Sequence, residues 1–578
     1  MNLLLENELN ETLSKVFKKL GLDEKFAFVK ISDRPDLSDF QCNGALALAK
    51  IEHKNPREIA SAIAQELEQY DFAENITVDG PGFINIKLKN NFIAEHIDAI
   101  SKDRRLGCGK VENPHKVVLD YGGPNVAKEM HVGHLRSGVI GEAISRIERF
   151  VGNDVISDVH LGDWGTPMGM ILGEIIFKDK DLSKVPFYNI TQITDFYKRA
   201  NIRCKENEEA RKAASKITAE LQDGNLEYKK AWLHLRSESV DAIKYNYQQL
   251  DVNFDLWWGE SDAHKTCGEI VKIARQQGLS EIDEGAEIIR LEQTNKPKPP
   301  VILVKSDGGF GYQLTDIATV KMRVEQLGAQ EIVYFTDSRQ TLHFEQIFEV
   351  VKKLGIAQNV ELKHIVFGTV NGADGKPFKT RDGGVMTLEA LIEMSKSKVR
   401  ESLPKPGEVK GYDRAEIEKL VSQIAVAAIK FQDLKNSIAS GYVFDLEDFA
   451  KFEGKTGPYI QYAIARINSV LRKAAENGLK ADKIVLCSDE ERNLALKLSQ
   501  LNSVIMRAHN EKEPSFIADY AYTLAQCFST FYNACPIMNA KSRELAASRL
   551  RLSKLTRDVL IMLLNLLGIE APEVMLKA

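Results

Sequence analysis

Several things are missing from this 578-residue sequence, and each absence closes off a class of protein. Its seven cysteines, Cys42, Cys108, Cys204, Cys267, Cys487, Cys527 and Cys535, are scattered, odd in number and contain no Cys-x-x-Cys pair. That spacing argues against a disulfide framework and against structural zinc, and it points to a reducing compartment. No apolar run is long enough to cross a bilayer; the longest near the end, Val559 to Leu567, is broken by Asn565. The opening MNLLLENELNETLSKVFKKL mixes apolar and charged residues at helical spacing and has neither the basic region nor the continuous apolar core of a signal peptide. An excess of positive charge is absent as well. The net charge of −5 gives no global footprint of a nucleic-acid binder, although one domain can still carry a basic patch. The expectation is a cytoplasmic protein with no membrane contact.

What is present is a chain too long for one core, with 44% apolar and 28% charged residues, the composition of an ordinary globular protein with several domains. Residues 1–110 read as a small α/β unit: a helix from Leu9 to Leu20, then a Gly-Pro-Gly turn leading into Phe83, Ile84, Ile86 and Leu88 at strand spacing. The central stretch is VVLDYGGPNVAKEMHVGHLRSGVIGEAISRIER, Val117 to Arg149. An apolar strand, Val117–Leu119, passes through a Gly-Gly-Pro turn to His131-Val132-Gly133-His134, where Ile140, Ala143, Ile144 and Ile147 begin a helical pattern. A strand, a turn and a helix N-terminus favour phosphate, because the first helical turn presents unpaired N–H groups. A His-x-Gly-His tetrapeptide alone arises by chance; its context carries the inference.

Downstream, His160, Gly162, Asp163, Trp164 and Gly165 cluster where a second strand ends. They either line the same crevice or form a tight glycine turn. Residues 175–300 are helical and charged and read as an insertion with few signals for chemistry, in which Trp232, Trp257 and Trp258 suit core or interface anchors. Two strand-like runs, Val301–Val304 and Glu331–Phe335, each lead toward a helix, the alternation of a doubly wound parallel sheet. Tyr312 and Asp316 share a helix face, suited to a planar cation or, for Asp316, to capping. Gln340, His343 and Glu345 fall at the next strand-to-helix junction and are ambiguous. The loop NGADGKPFKTRDGG sets Lys376, Lys379 and Arg381 among four glycines; it suits a triphosphate cover or a solvated hairpin. Met394-Ser395-Lys396-Ser397 resembles a phosphate motif in spelling only, since it sits inside an amphipathic helix. After Pro404–Gly407 the chain turns helical, ending in the Arg/Lys-rich KSRELAASRLRLSKLTRD, a phosphate-contacting or simply solvated face. Tyr459, Tyr462, Phe528, Phe531 and Tyr532 are base-stacking or core residues.

Together PNVAKEMHVGHLRS (Pro124–Ser137), LGDWG (Leu161–Gly165), GYQLTDIA (Gly311–Ala318), RQTLHFEQ (Arg339–Gln346) and TGPYIQYAIAR (Thr456–Arg466) resemble the arginyl-tRNA synthetases, a family of class I aminoacyl-tRNA synthetases. The resemblance covers nearly the whole chain and implies an α/β multidomain protein. Its parts are a tRNA-elbow domain (1–110), a Rossmann-type doubly wound catalytic domain (111–400, insertion about 175–300), a connecting helical region (401–454) and an all-helical anticodon-binding domain (455–578). The implied reaction makes arginyl-adenylate from L-arginine and ATP with Mg2+ as substrate complex, only with tRNA bound, and passes the arginyl group to tRNA(Arg). No tightly bound cofactor or metal ligand set is implied, and a monomer is expected.

The resemblance also distributes roles. The signature runs through Pro124, Asn125, Val126, Ala127, Lys128, Glu129, Met130, His131, Val132, Gly133 and His134. His131, Gly133, His134, Gly162 and Asp163 are expected to hold ATP, Asp120 and Asn125 the α-amino end of arginine, and Tyr312, Asp316 and Gln340 its guanidinium. tRNA contacts are expected at Tyr459, Gln461, Arg466, Arg549 and Arg551. The class-wide Lys-Met-Ser-Lys-Ser loop is missing, and Phe378-Lys379-Thr380-Arg381 stands there; Lys379 and Arg381 are expected to take its catalytic task with Lys128. Asp316 with Tyr312 separates this reading from a class I enzyme for an apolar amino acid, whose substrate leaves that carboxylate unpaired. His131, His134 and Asp316 speak against a non-catalytic tRNA-binding relative, and the long helical C-terminus against a small-molecule nucleotidylyltransferase.

Overall fold

Period-two burial of one strand organises the centre of the molecule. A computed structural model describes residues 4–292, 298–372, 386–404, 412–444 and 451–576. Strand Lys116–Asp120 turns Val117 and Leu119 into one hydrophobic cluster and Val118 into another. Both faces are covered, as a parallel sheet requires. The sheet has four parallel strands in the spatial order Glu361–Phe367, Glu331–Asp337, Lys116–Asp120, Asp154–Asp158. Tyr334 pairs with Asp120, and Asp120 with Asp158, so the carboxyl ends of three strands lie side by side. Strand order reverses beside Lys116–Asp120, the point at which open α/β sheets build their ligand crevices.

The signature helix, Gly133–Val151, follows the central strand and ends on Gly152 in the left-handed region. Its Gly141 is forced by packing: a Cβ there would stand 2.1 Å from Cγ of the buried Tyr121. The expectation that Val301–Val304 joins the parallel sheet is wrong. That strand pairs antiparallel with Ala286–Ile289 in a separate three-stranded sheet with Glu281–Asp283. A four-residue apolar run carries no information about its partner, so the alternation with a helix misled.

The insertion contains helices Ile190–Glu206, Glu208–Gln222 and Leu226–Gln249. The last returns to the sheet, where Tyr247 donates to the Gly122 carbonyl at 2.9 Å. At the N-terminal end, helix Leu5–Lys19 packs on a four-stranded antiparallel sheet in the order Val29–Ile31, Phe40–Cys42, Phe83–Leu88, Ala73–Asp79. The C-terminal region is helical: Gly457–Glu476 is capped by Thr456, Asp489–Ser499 by a Ser488/Glu491 capping box, and Arg543–Leu566 by Ser542. Arg492 from this bundle holds Asp39 of the N-terminal unit through two hydrogen bonds of 2.7 Å. Helix Leu388–Glu401 contains Met394-Ser395-Lys396-Ser397, with Ser395 bonded to the Leu391 carbonyl.

Candidate active site

The two signature histidines are held by main-chain donors. The Gly133 N–H donates to His131 Nδ1 at 3.0 Å, and the His131 N–H donates to His134 Nδ1 at 3.1 Å. A ring whose Nδ1 accepts carries its proton on Nε2 when neutral. Burial, then Lys128 and Arg339, hold His131 below its usual value; burial and the neighbouring His131 push His134 down to about 3. Both rings, with centroids 4.0 Å apart, are therefore neutral Nε2–H donors at neutral pH. Gly133 is glycine because a Cβ would lie 2.7 Å from a His131 ring atom. The signature loop is braced from outside: the Val132 N–H donates to Met386 O, Leu388 N–H to Met130 O, and Ala127 N–H to Ser239 Oγ. Ala127 itself is left-handed, with φ 64°. Lys128 stands 4.5 Å from the Tyr197 ring. Lys376, Lys379 and Arg381 lie outside the described residues.

Elsewhere in the crevice two carboxylates, Asp316 and Glu260, come close together. A cavity of about 600 Å³ is lined by Asn125, Gly162, Trp164, Glu260, Tyr312 and Thr315 among others. Asn125 leans over Gly162 so closely that a Cβ there would meet its Oδ1 at 2.2 Å. Asp316, next to Thr315 on helix Tyr312–Glu325, accepts from His343 Nε2 at 2.7 Å, and Tyr312 stacks on the His343 ring. Tyr312 is exposed, as is Gln340. One residue of this region, Glu260, escaped sequence reasoning, and another, His160, was placed only at the strand end. Glu260 begins helix Glu260–Gln276 and is raised to about 7, mainly by burial, with Asp316 and Asp163 adding to the shift and His160 opposing it. His160 is left-handed at φ 40°, has both ring nitrogens buried without a hydrogen-bond partner among the described residues, and stands 3.9 Å from Asp316. The composition of the insertion hid Glu260, whereas the strand-end position of His160 had placed it near the crevice.

Other expected ligand residues are committed elsewhere. Asp163 is fully buried; it accepts from Arg236 Nε at 2.6 Å and from Ser261 N and Oγ. Its expected ATP contact is corrected to an internal tie that fastens the insertion. Asp120 shares Arg323 Nη2 with Asp158, at 2.6 and 2.7 Å. Burial raises Asp120, while Arg323 and His160 outweigh burial at Asp158 and hold it low. One Asp120 oxygen is thus already engaged, which narrows its expected role toward the α-amino group.

The same correction applies to three expected tRNA residues. Gln461 is fully buried and donates to the Gln423 and Glu570 carbonyls. Arg549 is buried against Glu491 and the Pro536 carbonyl, and Arg551 reaches Ser101 of the N-terminal unit. Internal acceptors, invisible in the sequence, take the Gln461 amide and the charges of Arg549 and Arg551. Arg466 is different: it lies over the Tyr462 and Tyr532 rings beside a cavity of about 360 Å³. Tyr459 is half-buried against Tyr522, whereas Phe528 and Phe531 are core residues.

Comparison with known proteins decides the family. Residues 96–446 match the class I (R) tRNA synthetase catalytic domain, 460–575 the DALR anticodon binding domain, and 4–88 the arginyl tRNA synthetase N-terminal domain. The chain belongs to the arginyl-tRNA synthetase family. It is 42% identical to the arginine–tRNA ligase of Alkaliphilus oremlandii, over 99% of this chain and 100% of that one. The arginine–tRNA ligase of Francisella tularensis subsp. holarctica is also 42% identical, over 98% and 99%. Among solved structures, the arginyl-tRNA synthetase of Plasmodium falciparum superposes with a TM-score of 0.79 at 26% identity, covering 99% of each chain. Membership in this class I family makes the chain an enzyme, with the parallel catalytic sheet and helical C-terminal domain described above. No helix among the described residues is long and apolar enough to cross a membrane.

Proposed function

We propose that the protein activates L-arginine with ATP·Mg2+ and transfers the arginyl group to the 3′-terminal ribose of tRNA(Arg). The observation that carries this reading is the pairing of Asp316 and Glu260 at one end of the site with two neutral imidazole donors at the other. A buried cation needs carboxylate partners, and the planar guanidinium of arginine takes two parallel hydrogen bonds from one carboxylate. Asn125 and the open Asp120 oxygen receive the α-amino end. The arginine carboxylate oxygen then attacks the α-phosphorus in line; its O–P bond forms as the bond to pyrophosphate breaks. No covalent enzyme intermediate is needed, so His131 and His134 act by placing Nε2–H donors where charge grows on the phosphate oxygens. Neutral donors suit this task because they need no deprotonation equilibrium near pH 7. Lys128, with Lys379 and Arg381, neutralises the departing pyrophosphate. In the second step a ribose hydroxyl attacks the arginyl carbonyl and AMP leaves.

In this proposal Arg466, with Tyr462 and Tyr532, offers a cationic and aromatic platform for an unpaired tRNA base, in place of Gln461, Arg549 and Arg551. The protein acts as a monomer in the cytoplasm; all seven cysteines are free, in keeping with a reducing compartment. The deciding experiment is ATP–pyrophosphate exchange with each amino acid, with and without tRNA. Exchange with arginine that appears only when tRNA is added is the expected result. Exchange with another amino acid overturns the specificity, and exchange with none overturns catalysis.

A further inference from the structure

Asp316 does not stand alone, and its neighbour is the informative residue. His343 lies on helix Thr341–Lys353: Tyr312 stacks on it at 5.3 Å with 16° between planes, and Phe344 meets it edge-on at 5.2 Å. Between them the ring is locked, and its Nε2 lies 2.7 Å from Asp316 Oδ2. Its Nδ1 is buried and has no hydrogen-bond partner among the described residues. A carboxylate only accepts, so Nε2 carries the proton and donates.

We infer that His343 is a positioning residue for amino-acid recognition, which fixes the plane of the Asp316 carboxylate so that it meets a guanidinium through two bonds. This inference rests on the reading of Asp316 as the guanidinium partner. The hydrogen bond occupies one of the lone pairs of Oδ2 and leaves the rest of the carboxylate for a ligand. Oδ1 faces the more distant His160, at 3.9 Å. A point-charge ammonium is satisfied by a carboxylate in any rotation, whereas a planar fork is not. Holding Asp316 in one orientation therefore favours arginine over lysine, and a freely turning Asp316 loses that advantage.

The test compares His343→Phe, which keeps the ring against Tyr312 but removes the donor, with His343→Gln, whose amide nitrogen can occupy the place of Nε2. Steady-state aminoacylation is measured at saturating tRNA and ATP, together with calorimetric titration of the tRNA-bound enzyme with arginine and with lysine. The expected result for His343→Phe is a KM for arginine about tenfold higher with kcat within about twofold, the signature of lost ground-state binding. Its arginine/lysine affinity ratio is expected to fall, and His343→Gln to recover most of both effects. Unchanged KM and ratio in a folded His343→Phe, or a fall in kcat alone, overturns the inference; so does failure of His343→Gln to rescue. Asp316→Asn separates the two levels. If that variant keeps wild-type arginine affinity, the underlying reading of Asp316 is what fails.

Discussion

Glu260 is expected to make arginine recognition depend on pH, in a direction that follows from its burial. Taken out of water beside Asp316 and Asp163, its carboxyl is raised from 4.5 to about 7. A shift of that size corresponds to about 3 kcal/mol of penalty on the charged form. The sign is set by linkage: a raised value in the folded state means that Glu260 contributes its stability below about pH 4.5, and that this contribution is lost as pH rises through about 7. A guanidinium reverses the balance, since it pairs with the ionised carboxylate and not with the acid. If only the ionised form binds, the KM for arginine rises about tenfold between pH 8 and pH 6, and the thermal stabilisation by arginine grows with pH. The assay is arginine-dependent aminoacylation at fixed saturating tRNA, repeated from pH 6 to pH 8 with the wild type and Glu260→Gln. The variant is expected to have a raised KM that no longer varies with pH. A flat wild-type profile refutes the reasoning. An equal slope in Glu260→Gln assigns the titration to another group and refutes it equally.

Three further predictions follow from other parts of the structure. Arg323→Met leaves Asp120 and Asp158 buried without their shared cation; the expected cost is about 3–5 kcal/mol in denaturant unfolding, and a loss below about 1 kcal/mol contradicts the account of that triad. Lys128→Ala and Lys379→Ala are each expected to slow adenylate formation at least tenfold, as loss of a cation that offsets developing charge does; if single-turnover rates are unchanged in both, the assignment of the missing phosphate-loop lysine is wrong. Arg466→Ala is expected to raise the KM for tRNA about tenfold through a lost stacking and charge contact, leaving the KM for arginine alone, whereas Arg549→Ala is expected to act on thermal stability instead. Equal effects of the two on tRNA affinity contradict the distinction between them.

Local signals in the chain are faithful where the physics is local. The strand Lys116–Asp120, the glycine turn after it and the helix from Gly133 are readable because apolar alternation, glycine and helical periodicity act within a few residues. Tyr312 and Asp316 share a face because they are four apart on one helix. The position of Val301–Val304 is not readable in that way: a short apolar run is the same in either kind of sheet, and its antiparallel partner Ala286–Ile289 comes from a hairpin within the insertion. Glu260 is hidden for a related reason, since it reaches Trp164 and the Asp316 end of the site only after about a hundred intervening residues have folded.

By itself, then, the sequence determined the elements, their order, the family and the signature loop with its two histidines. Only the tertiary structure decided which charges are tied up within the chain. Asp163 and Asp316 are indistinguishable as letters, yet one is sealed against Arg236 and Ser261 while the other accepts from His343 and stays partly exposed. Arg549 and Arg466 divide in the same way. The physical reason is that a charge brought out of water must find a partner, and whether that partner is another part of the chain or the substrate depends on residues that meet only in the folded protein.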